Sequence, residues 1–548
     1  MDIEPNRPLV TAARFVGRKV ELGELGRLLK QSNSVTAVHG MPGVGKTFLT
    51  EHFAQQNRDR FPQHVRIGLR PDESRTVDEL LGTLAAQLHT ESRDLVAELA
   101  ATRTLVIIDN VDSAPLVGRV MDLWSHLARI PLLVIGRYDE LGREAGWLRV
   151  ELRPYEGYRE PLEQLNKEGV DTTGSSMQED LCAMIDALGH LPLALSLAAG
   201  HLRNHAYTPR GFVDELRRRG LSVVPADPSD LRRFGDDSAR AVLRTSFELS
   251  WEHLRRELHA QEHDTDEVGT MLRGLCHMAH GLACPLGPNL AAAACGLSED
   301  LARKVLATAT TLSLVQRSVG SVAWSLHPLI AEFLRASTIE IDLDAVKRST
   351  SEWFLERLRR AGQRNDEQAK VRKELTDEGE ALFLWLSDQM GRDAYTAVEV
   401  GFDFAKDCGP YIAWAEACKR AETAMLDLKE QSTRLWCLAT FAMSAGELDT
   451  AMRAAEHMVD VETRLSNERG IAHAKEKIAD ILQARGDLDR ALQILENDVL
   501  PVHESTGNAR EKAVTMGRVA DIVRIRGDPN RALQILENDV LLVYERIG

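Results

Sequence analysis

The 548-residue sequence lacks any apolar run of about 18 residues, so it predicts no membrane-spanning helix. Its first residues, Met-Asp-Ile-Glu-Pro, provide neither a basic segment nor an apolar core, which argues against a secretory signal peptide. The 7 cysteines are odd in number and include no C-x-x-C pair, a pattern that favours reduced thiols over a disulfide framework. We therefore expect a cytoplasmic protein with no membrane partner.

The sequence also lacks an excess of basic charge. Its formal net charge of -16 argues against a broad nucleic-acid-binding surface. Hydrophobic residues make up 44% of the chain and charged residues 27%, which is typical of globular domains with buried cores. A chain of 548 residues predicts roughly three to five domains.

Residues 40–47 read Gly-Met-Pro-Gly-Val-Gly-Lys-Thr and fit the phosphate-loop pattern G-x-x-x-x-G-K-[ST] without a mismatch. An apolar run precedes this segment and a helix-like run follows it. Glycines let backbone N–H groups turn toward a phosphate, and the helix presents the positive end of its dipole. We expect Lys46 to reach the β- and γ-phosphates of ATP and the Thr47 hydroxyl to hold Mg²⁺. The predicted contacts in and beside the loop are Gly40, Met41, Pro42, Gly43, Val44, Gly45, Lys46, Thr47 and Phe48.

Strand-like and helix-like segments alternate from residue 35 to about residue 152, which predicts a parallel sheet covered by helices on both faces. Nucleotides bind beyond the carboxyl ends of such strands, where both the loop and Asp109 would lie. The predicted strands are residues 35–38, 64–69, 104–109, 131–136 and 148–152.

Acidic residues after the third predicted strand are candidates for metal binding and catalysis. Asp109 ends four aliphatic residues and is the expected partner of Mg²⁺ together with Thr47; the alternative is an aspartate that only caps a turn. Asn110 stands where many ATPases place a second acid, which leaves Asp112 as the nearby candidate for orienting water. Because no strong base is evident, we expect slow ATP hydrolysis that suits a switch.

Arg137 follows the predicted strand that ends at Gly136, so its guanidinium could approach the γ-phosphate as a nucleotide sensor. The alternative is a surface arginine beside Asp139 and Glu140. The predicted catalytic set is Lys46, Asp109, Asp112 and Arg137.

Together these motifs resemble those of STAND NTPases of the NB-ARC type, a family of apoptosome scaffolds, plant disease-resistance receptors and bacterial regulators. Further segments resemble family motifs in the family's order, over roughly residues 15–337. They are Phe-Val-Gly-Arg at 15–18, Leu-Val-Ile-Ile-Asp-Asn-Val-Asp at 105–112, Val-Ile-Gly-Arg at 134–137, Gly-His-Leu-Pro-Leu-Ala-Leu at 189–195 and Leu-His-Pro-Leu at 326–329.

The resemblance implies roles for four residues outside the loop. Val16 and Arg18 would contact adenine, Pro192 would pack near the base, and His327 would touch the β-phosphate of ADP. Structural alternatives are an ordinary turn at residues 15–18, a helix break at proline without ligand contact, and a packed histidine. Two positions depart from the family pattern: Gly136 replaces the usual Ser or Thr, and Pro328 differs from the plant consensus after the histidine.

The expected domains follow from these motifs and from helical periodicity. Residues 238–337 resemble a winged helix, with helices at 239–254, 265–280, 289–294 and 299–310 before a hairpin turning at Val319-Gly320. No dense run of Arg and Lys lies on residues 299–310, so we do not expect this domain to read DNA directly. The predicted organisation is an N-terminal extension (1–14), an NB-ARC nucleotide-binding domain (15–153), a small helical domain (154–237), the winged-helix domain (238–337), a helical connector with degenerate repeats (338–435) and tetratricopeptide-like repeats (436–548).

The C-terminal region contains an internal repeat, because residues 490–500 recur letter for letter at 531–541. Turn signals recur at Gly446, Gly486 and Gly527, each between two amphipathic segments. A repeated helix–turn–helix unit of this size predicts an all-α solenoid, which resembles tetratricopeptide repeats of long period. We expect it to bind a protein or peptide; the alternative is a structural spacer. Since the sequence stops at Gly548, where the earlier copy continues into another helix, we expect either a trimmed chain or a poorly capped end.

The function expected from the resemblance is an ATP/ADP-gated signalling switch. ADP would hold a monomer, and a ligand on the repeats would allow ATP to enter and a homo-oligomer to form, in bacterial defence or regulation. Only 14 residues precede Phe15, so we expect the output to come from a separate effector, from further C-terminal sequence or from the oligomer itself. The alternatives are a transcriptional regulator that acts on DNA through its winged helix or a partner, a constitutive ATPase motor, and a nucleotide-locked scaffold.

Overall fold

The computed structural model describes residues 15–30, 35–69, 76–88, 95–127, 130–137, 141–173, 175–204, 206–219, 236–261, 265–282, 284–317, 323–337, 339–363, 367–409 and 411–543. The chain divides into two compact units. The first comprises the described residues within Met1–Leu80, Leu95–Glu356 and Glu378–Leu382, and the second those within Leu81–Asp94, Arg357–Asp377 and Phe383–Gly548.

A five-stranded parallel sheet organises the first unit, in the order β2-β3-β4-β1-β5. Its strands are β1 Val35–His39, β2 His64–Gly68, β3 Leu105–Asp109, β4 Leu132–Gly136 and β5 Leu148–Glu151. Every residue of β1, β3 and β4 is buried, which explains their nearly unbroken aliphatic sequences. The structure therefore confirms the predicted sheet, with strand ends within two residues of those expected.

Five helices precede or connect the strands along the chain, and two of them, α1 and α2, pack on β5 and β4. The five are α1 Lys19–Leu28, α2 Lys46–Gln56, α3 Val77–Gln87, which passes into the second unit at Leu81, α4 Leu95–Ala101 and α5 Ala114–His126. One core cluster joins Leu25 of α1 and Phe53 of α2 to Val38, Ile107 and Ile135 of the sheet. This packing fixes the beginning of α2 at the carboxyl end of β1, where the phosphate loop lies.

The rest of the first unit is mostly helical. It contains α6 Arg159–Lys167, α7 Ser175–Ala187, α8 Pro192–Arg203, α9 Pro209–Arg218, α10 Asp236–Gln261, α11 Thr265–His280, α12 Pro288–Cys295, α13 Glu299–Thr311, the antiparallel pair β6 Val315–Arg317 and β7 Trp324–Leu326, and α14 Pro328–Arg335. The predicted helix at residues 239–254 is wrong in its length, because α10 continues to Gln261. The predicted turn at Val319-Gly320 lies outside the described residues.

From Gly391 onward, the helices of the second unit pack on their neighbours along the chain. After α15 Leu343–Gly362, which ends within it, the helices are α16 Gln368–Asp377, α17 Gly379–Ser387, which begins in the first unit, α18 Gly391–Cys408, α19 Tyr411–Arg420, α20 Leu428–Ser444, α21 Leu448–Arg464, α22 Glu468–Ala484, α23 Leu488–Ile494, α24 Leu500–Ser505, α25 Ala509–Ile525 and α26 Pro529–Ile535. The predicted turn glycines Gly446, Gly486 and Gly527 have φ of 83°, 83° and 93°, a region that favours glycine. The large all-helical region is thus confirmed. Within the described residues, no helix is both long and apolar enough to cross a membrane.

Candidate nucleotide-binding site

The loop between β1 and α2 depends on glycine at three positions. Gly40, Gly43 and Gly45 have φ of 149°, 75° and 96°. A Cβ atom at Gly40 would lie 2.1 Å from the carbonyl oxygen of Leu152, so a larger residue would push the loop away from β5. Of the other predicted loop residues, Pro42 and Val44 are buried, and Met41 and Phe48 are half-buried. The motif therefore adopts a conformation that other residue types would strain.

Lys46 is the first residue of α2, and its ammonium group folds back over the loop. Its Nζ donates hydrogen bonds to the carbonyl oxygens of Gly40, at 2.7 Å, and Met41, at 3.0 Å. These bonds hold the positive charge at the mouth of the loop, where a phosphate could replace the carbonyl oxygens as its partner.

Thr47 and Asp109 meet beside this lysine, as the sequence predicts. The Thr47 hydroxyl donates to Asp109 Oδ2 at 3.0 Å, although 62 residues separate the two positions. Asp109 Oδ1 accepts the backbone N–H of Asn110 at 2.8 Å, which fixes the orientation of the carboxylate. A hydroxyl and a carboxylate oxygen this close together are the hard donors that Mg²⁺ prefers, so the two residues fit the predicted metal.

Asp112 and Arg137 form a pair at the ends of neighbouring strands. Asp112 Oδ1 accepts the backbone N–H of Arg137 at 2.6 Å, and Oδ2 accepts its Nε–H at 2.7 Å. Arg137 Nη1 also lies 3.7 Å from Glu332 of α14. The carboxylate of Asp112 therefore orients Arg137 in this structure. The sequence instead predicted that Asp112 orients a water molecule. Asp139 and Glu140, the partners in the surface alternative, lie outside the described residues.

Gly136 departs from the expected Ser or Thr for a steric reason. A Cβ atom at this position would lie 2.1 Å from the carbonyl oxygen of Val111. The backbone N–H of Val111 donates to the Ile135 carbonyl at 2.9 Å. This hydrogen bond holds the residues after β3 close to the end of β4, which leaves no room for a side chain at Gly136. The glycine therefore allows the segment before Asp112 to pack against the end of β4.

His327 caps α14 and lies in the positive field of the phosphate loop. Its Nδ1 accepts the backbone N–H of Leu329 at 3.2 Å. Burial, together with the positive charges of Lys46 and Arg137, lowers the pKa of His327 to about 4. The charges of Lys46 and Arg137 affect the pKa of His327, so the structure brings together three side chains that lie far apart in the sequence. His327 is consequently neutral near pH 7.

One of the two predicted adenine-side residues, Arg18, contacts the loop: its Nη2 donates to the Val44 carbonyl at 3.4 Å. The other, Val16, is buried. Arg18 also pairs with Glu21 at 3.1 Å, and its guanidinium lies 4.6 Å from the ring centroid of Tyr155. The sequence did not point to Tyr155, whose only signal is an aromatic residue shortly after β5. Stacking over this ring orients Arg18.

Pro192 begins α8, where its fixed φ and missing N–H are tolerated. The next residue, Leu193, donates its N–H to the Gly43 carbonyl at 3.2 Å. A Cβ atom at Gly45 would lie 4.0 Å from Pro192 Cγ. The predicted break at this proline is confirmed, and the break places the beginning of α8 directly on the phosphate loop.

Residues 14–370 match the sequence profile of the AAA ATPase domain. The chain belongs to this family. Membership implies nucleotide binding, in agreement with the loop geometry, and assigns the parallel sheet and the helices after it to one ATPase region.

Three individual proteins are also similar to this chain. The Regulatory protein AfsR of Streptomyces griseus is 27% identical over 374 residues, which cover 63% of this chain and 34% of that protein. The Regulatory protein AfsR of Streptomyces coelicolor is 27% identical over 280 residues, covering 46% and 26%. The chain thus spans about a third or less of the length of these curated relatives. A solved signal transduction ATPase with numerous domains (STAND), with a tetratricopeptide repeat sensor, from Pyrococcus horikoshii aligns with a TM-score of 0.45 at 15% identity, covering 100% of this chain and 80% of that one.

The AAA ATPase domain also contains a charged network that the sequence reading missed. Arg66 Nη1 lies 3.8 Å from Asp109 Oδ2 and 3.7 Å from Glu51 Oε1, and Glu51 Oε2 lies 3.2 Å from His64 Nε2. Burial raises the pKa of Glu51, but the hydrogen bond to His64 and the positive charge of Arg66 outweigh it, so the pKa is lowered. The available signal was two polar residues two positions apart on β2, which point to one face of the sheet. Arg66 thus holds a second positive charge beside the predicted magnesium ligand.

Proposed function

We propose that this AAA ATPase is a nucleotide-gated switch, held closed by ADP and opened when ATP replaces it. The observation that carries the proposal is the convergence of Lys46, Arg137 and His327, because each comes from a different part of the first unit and all would face the phosphates. A nucleotide bound there would link the loop, the sheet and α14 in one closed arrangement.

Different residues of the site would bind different parts of the nucleotide. Lys46 would bind the β- and γ-phosphates, while Val16, Arg18 and Pro192 would enclose the base. Thr47 and Asp109 would hold Mg²⁺, which supplies positive charge to the phosphates when bound. Their oxygen donors and 3.0 Å separation support this assignment.

Slow hydrolysis is part of the proposal. Asp112 accepts two hydrogen bonds from Arg137, and Asn110 is not an acid, so neither is placed as a general base for water. We therefore assign Asp112 as a positioning residue that aims Arg137 at the γ-phosphate. A persistent nucleotide suits a switch better than a motor.

The energetic requirement of the switch is modest. Moving an equilibrium from 1:99 to 99:1 takes about 5.5 kcal/mol of differential affinity. A hydrogen bond to a charged group contributes about 1.5–3 kcal/mol. Two phosphate contacts at the upper end of this range, made in only one state, would therefore be sufficient.

The remaining assignments concern domains and partners. We propose that residues 238–337, which hold most of α10, α11–α14, β6 and β7, form a winged-helix domain. We also propose that residues 436–548 are tetratricopeptide-like repeats that sense a protein or peptide. The open form would oligomerise or signal to a separate downstream protein in the cytoplasm, in bacterial defence or regulation. The regulatory names of the relatives support this class of role.

The proposal predicts different masses for the ADP and ATP states. Since no trigger is identified, Glu332→Lys replaces it by putting a positive charge opposite Arg137, which lies 3.7 Å away. With Mg·ADP we expect a monomer by multi-angle light scattering. With Mg²⁺ and a non-hydrolysable ATP analogue, we expect a larger fraction of the Glu332→Lys variant than of the natural protein to form an oligomer. Glu340→Lys, on an exposed residue, controls for charge. One unchanged mass in all conditions would contradict the switch.

A second prediction tests His327 at the phosphates. Phosphate oxygens would offset the positive charges that lower its pKa to about 4, so the pKa should rise toward the ordinary 6.5. We therefore expect ADP binding at about pH 5.5 to be accompanied by proton uptake, measured by calorimetry in two buffers of different ionisation enthalpy. His327→Gln should lose this uptake, and His126→Gln, on an exposed residue of α5, should keep it. Equal uptake by both variants would remove His327 from the site.

The second candidate function is transcriptional regulation through the winged-helix domain or a partner, and the relatives are named as regulatory proteins. Binding of duplex DNA that weakens steeply between low and moderate salt would support it. If the protein bound no DNA at low salt, its winged-helix domain would not be the DNA-binding element, and regulation of transcription would require a separate DNA-binding partner.

A further inference from the structure

Lys477 of α22 is a buried cation whose ammonium group lies on an aromatic ring. The residue is only 7% exposed, and its Nζ lies 4.4 Å from the ring centroid of Trp436 on α20. Among the residues that the structure describes, none forms a hydrogen bond or an ion pair with this ammonium. Burying a charge without a paired partner costs free energy, and the cation–π contact with Trp436 offsets only part of that cost.

Two acidic residues of α22, Glu476 and Asp480, already face another cation. Glu476 Oε1 accepts the Thr515 hydroxyl at 2.6 Å, and Oε2 lies 3.2 Å from Arg518 Nη1. Asp480 Oδ2 lies 3.7 Å from Arg518 Nη2. Both carboxylates are therefore engaged with α25, and neither pairs with Lys477.

These contacts place Lys477 where three helices of the second unit lie side by side. Lys477 reaches α20 through Trp436, while Glu476, the residue before it, reaches α25 through Arg518. Trp436, Asp480 and Arg518 are half-buried, so solvent reaches the side chains around the ammonium. A ligand that lies across α20, α22 and α25 would therefore pass next to Lys477.

The electrostatic surroundings favour an incoming carboxylate. Burial lowers the pKa of Lys477, and the positive charges of Arg518 and Lys406 lower it further, although Asp480 and Glu476 act in the opposite direction. A carboxylate bound to the ammonium would favour its charged form and offset its desolvation. One unpaired ammonium near two acidic side chains suits a singly charged carboxylate better than a phosphate, because those acids would repel the higher charge.

We propose that Lys477, held in position by Trp436, binds an acidic side chain, Asp or Glu, of a peptide or protein ligand. The ligand carboxylate would become the missing partner of the buried ammonium. The inference rests on the proposed role of residues 436–548 as a sensor, and it specifies the chemistry that this sensor recognises.

A fluorescein-labelled, C-terminally amidated peptide of alternating glutamate and alanine provides the probe. We expect it to bind the full chain in fluorescence anisotropy, and its glutamine counterpart to bind at least about tenfold more weakly. Lys477→Met keeps an apolar stem on Trp436 but removes the charge, so it should weaken binding of the glutamate peptide by a similar factor. Lys475→Met is the matched control on α22, because Lys475 already pairs with Asp498 at 3.2 Å, and its affinity should not change.

Unfolding in urea separates a binding role of Lys477 from a structural one. Because an unpaired buried charge costs stability, Lys477→Met should unfold at the same urea concentration as the natural protein or at a higher one. A lower unfolding midpoint together with unchanged affinity for the glutamate peptide would show that the lysine only holds α22 against Trp436. That result would overturn the proposal.

Three further outcomes would also overturn it. The first is failure of the glutamate peptide to saturate the protein, and the second is equal affinity for the glutamate and glutamine peptides. The third is tight binding by the glutamine peptide once its C-terminus is a free carboxylate, which would assign the site to a chain end. Lys46→Ala should bind the probe normally. Since the mass change expected of Glu332→Lys is measured without peptide, failure here leaves the test of the nucleotide switch intact.

Discussion

Replacing Lys46 with alanine is expected to weaken Mg·ATP and Mg·ADP binding by about 100-fold, because a charge-assisted contact contributes about 3 kcal/mol. Lys46 Nζ is held 2.7 Å from the Gly40 carbonyl and 3.0 Å from that of Met41, so its charge already lies at the loop before a phosphate enters. Calorimetry on nucleotide-free protein measures the change in affinity directly.

The control for this loss is Lys347→Ala, which removes an exposed lysine from α15 in the same unit. Its affinity should equal that of the natural sequence. If Lys46→Ala bound both nucleotides as tightly as the control, the loop would not be the phosphate site, and the proposed switch would lose its basis.

Gly136→Ser is expected to lower the free energy of unfolding by about 3 kcal/mol and the unfolding temperature by roughly 4 °C. The added Cβ would lie 2.1 Å from the Val111 carbonyl oxygen. That oxygen belongs to backbone that is held by the hydrogen bond between Val111 and Ile135, so it cannot move without disturbing the ends of β3 and β4. Thermal and urea unfolding followed by circular dichroism measure the effect.

Gly118→Ser is the matched control for this substitution. Gly118 lies on α5 in the same ATPase domain, and a Cβ there would meet nothing within 4 Å. We expect it to be neutral or slightly stabilising, because serine has the higher helix propensity. Equal stability of the two variants would show that the Val111 segment can shift, and that a serine at this position is compatible with this sheet.

The strands and the glycine-dependent loop after β1 were predictable because their signals are local. An aliphatic run such as that of β3 can be buried on both faces only inside a covered sheet, and parallel strands direct their carboxyl ends to one edge. The contact between Thr47 and Asp109 follows from that rule, and the 3.0 Å hydrogen bond confirms it.

Other features of the site could not be predicted from the sequence, because they depend on side-chain orientation. Asp112 was correctly expected near the strand ends, yet its position alone could not show that both oxygens accept bonds from Arg137. Arg66 was not among the predicted site residues, although the alternation of a strand places it on the same face of β2 as His64. Orientation is set by packing among several elements, which a linear pattern does not contain.

By itself, the sequence determined the loop, the parallel sheet, the break at Pro192 and the repeated helices, since each follows from residue type, spacing or backbone restriction. Only the tertiary structure decided that His327 lies in the field of Lys46 and Arg137, and that Lys477 is buried. Burial and long-range electrostatics depend on neighbours distant along the chain, so a sequence motif does not reveal them.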